Sequence, residues 1–63
     1  MTLGEYLDRT GTARAAFARQ IDVRHITVTR YLAGRVPEPE VMKRIIAATD
    51  GCVSANDFFR VAA

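Results

Sequence analysis

Residues that end helices divide this chain into short segments, and the short intervals between them limit the length of any helix that the chain can form. Thr10-Gly11, Gly34, the connection from Pro37 to Pro39, and Asp50-Gly51 each interrupt the pattern. Glycine readily takes the left-handed conformation that ends a helix, and proline keeps the residue before it out of helical space. Between the breaks, apolar residues recur three and four positions apart, which is the spacing of a buried helix face. The pattern predicts five short helices and no strands.

Capping residues and periodicity set the expected limits of these helices. Thr2 and Glu5 have the spacing of a capping box at the start of the first helix. Thr12 is expected to cap the second helix with its hydroxyl group. Asp22 is expected to take a positive φ in the turn after that helix, because aspartate tolerates that conformation. The predicted helices run from Thr2 to about Arg9, from Ala13 to about Gln20, from Arg24 to Ala33, from Pro39 to about Ala48, and briefly after Ser54.

The third segment could be taken for a strand on propensity alone, because 26–29 is a run of β-branched residues. Val28, Tyr31 and Leu32 nevertheless recur at helical spacing, and the preceding helix lies only a few residues away. We therefore expect a helix whose opposite face carries His25, Ile26, Thr29 and Arg30.

At 63 residues the chain is expected to form one domain spanning 1–63. A chain of this size hides only about 60% of its unfolded surface, so its core is marginal. Cys52 is the only cysteine, which excludes an internal disulfide, and we expect it to act as a small hydrophobic residue. One histidine and one cysteine, far apart, do not make a zinc site. A helical core and a second copy of the chain are the expected sources of stability, with no metal and no cofactor.

The N-terminal residues and the apolar runs bear on where the chain resides. No stretch approaches the roughly 20 apolar residues that span a bilayer. The first five residues lack the positive region and apolar run of a signal peptide. We therefore expect a cytoplasmic protein with no membrane partner.

Positive charge is concentrated in one part of the chain. The span from Arg14 to Arg35 holds five arginines and one acidic residue, Asp22, while the remainder is acidic on balance. A segment that is basic relative to its surroundings is typical of proteins that bind a polyanion. A solvated arginine face is the alternative, and charge alone does not separate the two.

The span 14–35 also has the order helix, short turn, helix, glycine. Ala18 is small enough to let two helices cross closely, and Ile21, Val28 and Leu32 can pack into the angle between them. A helix-turn-helix needs this packing to hold its second helix out for a DNA major groove.

The stretch 17–35, FARQIDVRHITVTRYLAGR, resembles the helix-turn-helix of the Cro/lambda-repressor superfamily of phage and bacterial regulators. Ala18 matches its small residue, 27–32 matches its recognition helix, and Gly34-Arg35 matches the segment after that helix. Asp22 and Arg24 depart from the usual glycine and the usual serine or threonine cap. The later 47–59 resembles the tail of small Cro-like (YdaS-type) proteins, so the resemblance covers nearly the whole chain.

This resemblance implies an all-α, compact five-helix lambda-repressor-like domain with a helix-turn-helix at about 14–33 and a possible dimerisation part at 52–63. It implies a repressor of a phage or mobile element that acts at its own promoter in a bacterial host or a phage-infected cell. It also implies a homodimer on a palindromic operator, with no small-molecule substrate. It places base-reading residues in the first two turns of the recognition helix, at Arg24, His25, Ile26, Thr29 and Arg30.

Other residues are candidates for backbone contacts and pairing. Phosphate contacts fix the register of a protein on DNA without reading sequence, and Thr12, Arg14 and Arg35 are placed for them. Phe59 and Val61 are the candidates for a twofold interface, although both C-terminal phenylalanines could instead complete the core of one chain. Ile26 fits a thymine methyl group, unless the register is shifted and it belongs to the core.

Two other classes of function stand beside DNA binding. A protein-interaction module, such as an antitoxin or antirepressor, could use the same fold. An enzyme is not expected, because the sequence offers no acid/base pair and no nucleophile constellation.

Overall fold

Five helices account for the regular structure of residues 1–59, the part of the chain that the computed structural model describes. They are α1 (Leu3–Thr10), α2 (Arg14–Gln20), α3 (His25–Leu32), α4 (Pro39–Ala48) and α5 (Ala55–Phe58). No strand occurs within 1–59. The prediction of an all-α chain with five short helices is confirmed. No helix in this range is long and apolar enough to cross a membrane.

The capping box predicted for α1 is present. The Thr2 N–H donates to the Glu5 carboxylate over 2.9 Å, and the Glu5 N–H donates to the Thr2 hydroxyl over 3.2 Å. Gly11 ends the helix at φ 64°, in the left-handed region where a side chain would be strained. The helix runs one residue further than predicted, to Thr10.

The predicted cap of α2 was wrong. The helix begins at Arg14, its N-cap is Ala13, and no side chain caps it. The backbone explains the difference, because the Thr12 N–H donates to the Leu7 carbonyl over 3.0 Å. That bond makes Thr12 part of the ending of α1, one residue too early to cap α2.

The α3 segment is helical despite its β-branched residues. Burial of Val28 and Tyr31 in the core outweighs the low helix propensity of the β-branched residues. Arg24 and Ala33 flank the helix as caps rather than belonging to it, so it is one residue shorter at each end than predicted. Asp22 takes φ 58° in the preceding turn, as predicted.

The core lies where α2 and α3 pack together, with α1, α4 and the α4–α5 loop closing around them. Ala18 is almost fully buried at this packing, as predicted. Leu32, which the sequence placed beside Val28 and Tyr31, is only partly buried against the core. The fully enclosed large side chains are Phe17, Ile21, Val28, Ile45 and Val53.

A buried threonine fixes the chain between α4 and α5. The Thr49 hydroxyl donates to the Ile45 carbonyl over 2.8 Å and accepts from the Val53 N–H over 3.2 Å. Asp50 and Gly51 come next with φ of 52° and 79°, which turns the chain back toward the core. Pro39 occupies the first turn of α4, as predicted.

The two C-terminal phenylalanines differ in burial. Phe58 is half-buried and meets Tyr31 edge to face, with ring centroids 6.5 Å apart, so it belongs to the core of a single chain. Phe59 is 61% exposed. Cys52 was expected to pack as a small hydrophobic residue but is exposed, because Val53 is the residue of this loop that enters the core. Val61 lies outside the described residues.

Candidate functional site

The packing of α2 against α3 determines which side of α3 is available to a partner. Phe17 and Ala18 of α2 are buried, and so are Val28 and Tyr31 of α3. A helix buried along one side presents the residues of its opposite side to solvent. The outer face of α3 is therefore the surface on which a binding function can be built.

Four of the five predicted base-reading residues, His25, Ile26, Thr29 and Arg30, lie on the outer face of α3, and the fifth, Arg24, lies just before the helix at its N-cap. We call these five residues together the α3 outer face. Arg24, His25 and Arg30 are exposed. Ile26 is 52% exposed, so the alternative of a shifted register that places it in the core is wrong. Thr29 is only half-exposed, and its hydroxyl donates to the His25 carbonyl over 3.4 Å.

The N-terminal end of α3 is positively charged and uncapped. Arg24 occupies the N-cap position with extended backbone, and its side chain makes no capping hydrogen bond. The first N–H groups of a helix have no partner within the helix, and the helix dipole favours negative charge there. The end of α3 therefore combines the Arg24 guanidinium with open backbone donors.

Arg35 is held close to the C-terminal end of α3 by a glycine turn. Gly34 has φ 113°, and its N–H donates to the Tyr31 carbonyl over 3.1 Å. The Arg35 N–H then donates to the Arg30 carbonyl, also over 3.1 Å. This pair of bonds closes the helix and fixes the backbone from which the exposed Arg35 side chain projects.

The two other phosphate candidates differ in how free they are. Arg14 is exposed in the first turn of α2. Thr10 has a single hydroxyl proton and donates it to the Tyr6 carbonyl over 2.9 Å, so the Thr12 hydroxyl, 2.7 Å away, is the donor to Thr10. Thr12 can therefore donate to a phosphate only if that bond opens.

Tyr31 links the buried side of α3 to the charges just beyond the helix. Burial raises the pKa of the Tyr31 hydroxyl above its ordinary value, the Glu38 carboxylate raises it further, and Arg35 acts in the opposite direction. The phenol is therefore neutral at physiological pH and adds no negative charge beside Arg35.

Arg44 of α4 makes a contact that the sequence did not reveal. One of its guanidinium nitrogens donates to the carbonyl oxygen of Ile21 over 3.4 Å, at the end of α2. The other lies 3.9 Å from the Glu40 carboxylate, one turn back along α4. The pair Glu40–Arg44 is visible in the sequence as an i, i+4 pair, but the reach to Ile21 depends on the tertiary fold.

Within 1–59, no group of three or more histidine, cysteine, aspartate or glutamate side chains could hold a metal ion. The candidate site consists of arginine, histidine, threonine and isoleucine side chains on and just before one helix, with further arginines on α2 and after α3. Such a set can bind by hydrogen bonds, charge and apolar contact.

Comparison of the chain with protein-family models, with curated proteins and with solved structures finds no significant match.

Proposed function

We propose that the chain is a sequence-specific double-stranded DNA-binding protein in which α2, the turn at 21–24 and α3 act as a helix-turn-helix. One observation carries the proposal. The buried side of α3 is packed against α2, while its outer face exposes Arg24, His25, Ile26 and Arg30. The DNA major groove is about 12 Å wide and accepts one α-helix, and these side chains match the chemistry of base edges.

Each residue of the α3 outer face has a distinct role in this proposal. The Arg30 guanidinium can make two hydrogen bonds to a guanine edge, and His25 can donate to or accept from a base. The exposed Ile26 side chain matches the methyl group of thymine. Arg24 and Thr29 complete the set, with Thr29 contributing its hydroxyl once it leaves the His25 carbonyl.

Two arginines outside this face are proposed to supply the register. Arg14 and Arg35 are exposed on separate elements, at the start of α2 and just after α3. Phosphate contacts on both sides of a groove orient the reading helix without carrying sequence information. The phosphate contact proposed for Thr12 requires its bond to Thr10 to open.

In its regulatory role, the protein is proposed to be a repressor of a phage or mobile element that blocks transcription from its own promoter. This role follows from the resemblance of 17–35 to the helix-turn-helix of Cro-like regulators. We also propose a homodimer on a palindromic operator, paired through the C-terminal part with Phe59 and Val61. The exposed Phe59 ring supports this, because a second copy would remove it from water.

A second candidate is a protein-interaction module on the same fold. The observation that favours it is the exposure of Ile26 and Val36, at 52% and 39%, on and just after α3. Exposed apolar side chains suit a protein surface. The exposed arginines suit DNA better, because a protein partner would have to supply matching acidic groups.

The deciding experiment is a selection of bound sequences from random duplex DNA. The selected duplex is then titrated against a scrambled duplex of equal length at two salt concentrations. A palindromic consensus bound about a thousandfold or more tightly than the scrambled duplex supports the proposal. Equal and weak binding that vanishes at physiological salt contradicts it, and the same protein would then serve as bait for a protein partner.

A further inference from the structure

The C-terminal end of α2 is anchored from a different part of the chain. The last carbonyl groups of a helix have no partner within the helix and carry partial negative charge. At this end, the Ala18 carbonyl accepts from the Val23 N–H over 2.9 Å and the Arg19 carbonyl from the Asp22 N–H over 3.3 Å. The Ile21 carbonyl accepts instead from Arg44, 23 residues further along the chain.

This contact falls at the point where the direction of α3 is set. The Ile21 side chain is fully buried, so its position is fixed by the core. The next residue, Asp22, is in the left-handed region at φ 58°, and α3 begins three residues later. Among the side-chain hydrogen bonds within 1–59, the Arg44 contact is the one that reaches this turn from another helix.

The surroundings of Arg44 favour a fixed guanidinium over a freely solvated one. Glu40 lies one turn back along α4, and its carboxylate is 3.9 Å from the second guanidinium nitrogen, so Arg44 has a partner on its own helix as well as on the turn. The Arg44 side chain is 45% exposed, so a substitution there leaves the core intact. The neighbouring Lys43 is exposed and makes no hydrogen bond or ion pair in the described part of the chain.

We infer that Arg44 is a positioning residue for α3, which sets the angle at which α3 leaves the turn by holding the Ile21 carbonyl. The inference rests on the proposed function for its effect on DNA, and on the fold alone for its effect on the turn. Arg44 acts through the backbone of the turn rather than by touching DNA. A reading helix displaced by about 1 Å loses the geometry that its base contacts need.

Three variants test this inference. Arg44→Gln removes the guanidinium, Arg44→Lys keeps the positive charge but loses the planar fork, and Lys43→Gln is the control that removes an equal charge from the next residue. The first readout needs no DNA. Hydrogen exchange at the Asp22 and Val23 amides is expected to accelerate severalfold in both Arg44 variants and to stay at the parent rate in Lys43→Gln.

The second readout uses the selected and the scrambled duplex at two salt concentrations. Arg44→Gln is expected to lose about tenfold in affinity for the selected duplex, with little change for the scrambled one and no change in salt slope. The affinity of Arg44→Lys for the selected duplex should lie between that of Arg44→Gln and that of the parent. The control should bind the selected duplex as the parent does.

Two results would overturn the inference. Unchanged exchange at Asp22 and Val23, together with an unchanged ratio of the two affinities, would mean that Arg44 does not position the turn. Equal weakening on both duplexes, with a salt slope reduced by about one, would mean that Arg44 contacts a phosphate directly. If the parent protein shows no sequence preference, the proposed function fails, and the exchange rates still decide the role of Arg44.

Discussion

Arg30 and Arg35 carry the same charge five residues apart, but the structure gives them different surroundings. Arg30 projects from the last turn of α3, whereas Arg35 lies after the glycine turn beyond it. We predict that Arg30→Ala costs roughly 1–3 kcal/mol in binding the selected duplex and relaxes the preference at one base position. Arg35→Ala should weaken binding to all duplexes alike and reduce the salt slope by about one.

These two variants control for each other, since each removes one exposed positive charge. Titrations of the selected and scrambled duplexes at two salt concentrations separate them. If both arginine variants weaken the two duplexes equally, Arg30 reads no base. If a folded Arg35→Ala protein keeps the parent salt slope, Arg35 makes no phosphate contact.

Asp22 is the residue at which the turn carries backbone strain. It has φ 58°, a conformation that costs a residue with a Cβ atom up to 1–2 kcal/mol and costs glycine almost nothing. We predict that Asp22→Gly raises the free energy of unfolding by about 0.5 kcal/mol, because relief of strain exceeds the added entropy of the unfolded chain. Urea unfolding measures the change, with Asp22→Ala as the partner that keeps the Cβ atom. Equal effects of the glycine and alanine variants would contradict the strain argument.

Among the elements, α2 shows where sequence patterns succeed and where they fail. The sequence predicted the end of the helix and the positive φ after it, because both follow from local chemistry. It misplaced the start by one residue, because Thr12 has the right side chain for a cap while its backbone is bound to the end of α1. Whether Thr12 or Ala13 becomes the N-cap of α2 is decided by the hydrogen bond from the Thr12 N–H that ends α1.

The missing cap of α2 can be supplied. Ala13 is the N-cap residue, with extended backbone and no side-chain oxygen. We predict that Ala13→Ser raises the free energy of unfolding by about 0.5–1 kcal/mol, because the hydroxyl would accept from an open N–H of the first turn. Ala13→Val, which changes the same position without supplying a hydrogen-bond acceptor, is the control and should not gain this stability. A folded Ala13→Ser protein that is no more stable than the parent would contradict the account of the missing cap.

For the whole molecule, the sequence predicted the parts that depend on spacing and missed those that depend on closure of the fold. The exposed His25, Ile26 and Arg30 followed from helical periodicity, whereas Arg24 was expected only from the family resemblance. The burial of Phe58 against Tyr31 did not, since two adjacent phenylalanines look alike in sequence and only one can face the core of a short helix. The set of exposed side chains was thus predictable. The hydrogen bond from Arg44 of α4 to the Ile21 carbonyl was not, because it depends on how α4 packs against the turn.

The capping contact between Ser54 and Asp57 at the start of α5 makes stability depend on pH. The pKa of Asp57 lies below its ordinary value, chiefly because its carboxylate accepts from the Ser54 N–H over 2.9 Å. The Ser54 hydroxyl and the Met1 amine act in the same direction, and partial burial opposes them. The unfolded chain therefore binds this proton more readily, so the stabilisation is complete above the ordinary aspartate pKa of about 4 and is lost as pH falls below it.

We predict that the parent protein exceeds Asp57→Asn in stability at pH 7 and that this difference shrinks as the pH is lowered below about 4. Urea unfolding of both proteins across this range measures it. Asp8→Asn is the control, because the Asp8 carboxylate makes no hydrogen bond or ion pair in the part of the chain described, and it should leave the pH dependence as in the parent. A difference that stays constant from neutral to acidic pH would show that Asp57 acts by packing alone.

The exposed Phe59 ring is the side chain through which a molecule of this small size is proposed to pair with a second copy. One small module buries roughly 600–1,000 Å² on DNA, and dimers of helix-turn-helix proteins reach half-sites about one helical turn apart. We predict that the parent protein sediments as a dimer at micromolar concentration and that Phe59→Asp sediments as a monomer, because a charge cannot be buried at a twofold contact without a partner. Ile26→Asp, at an exposed apolar side chain that the proposal assigns to DNA rather than to pairing, is the control and should remain dimeric. A parent protein that stays monomeric at high micromolar concentration without DNA would contradict the stable dimer and leave pairing only on the operator.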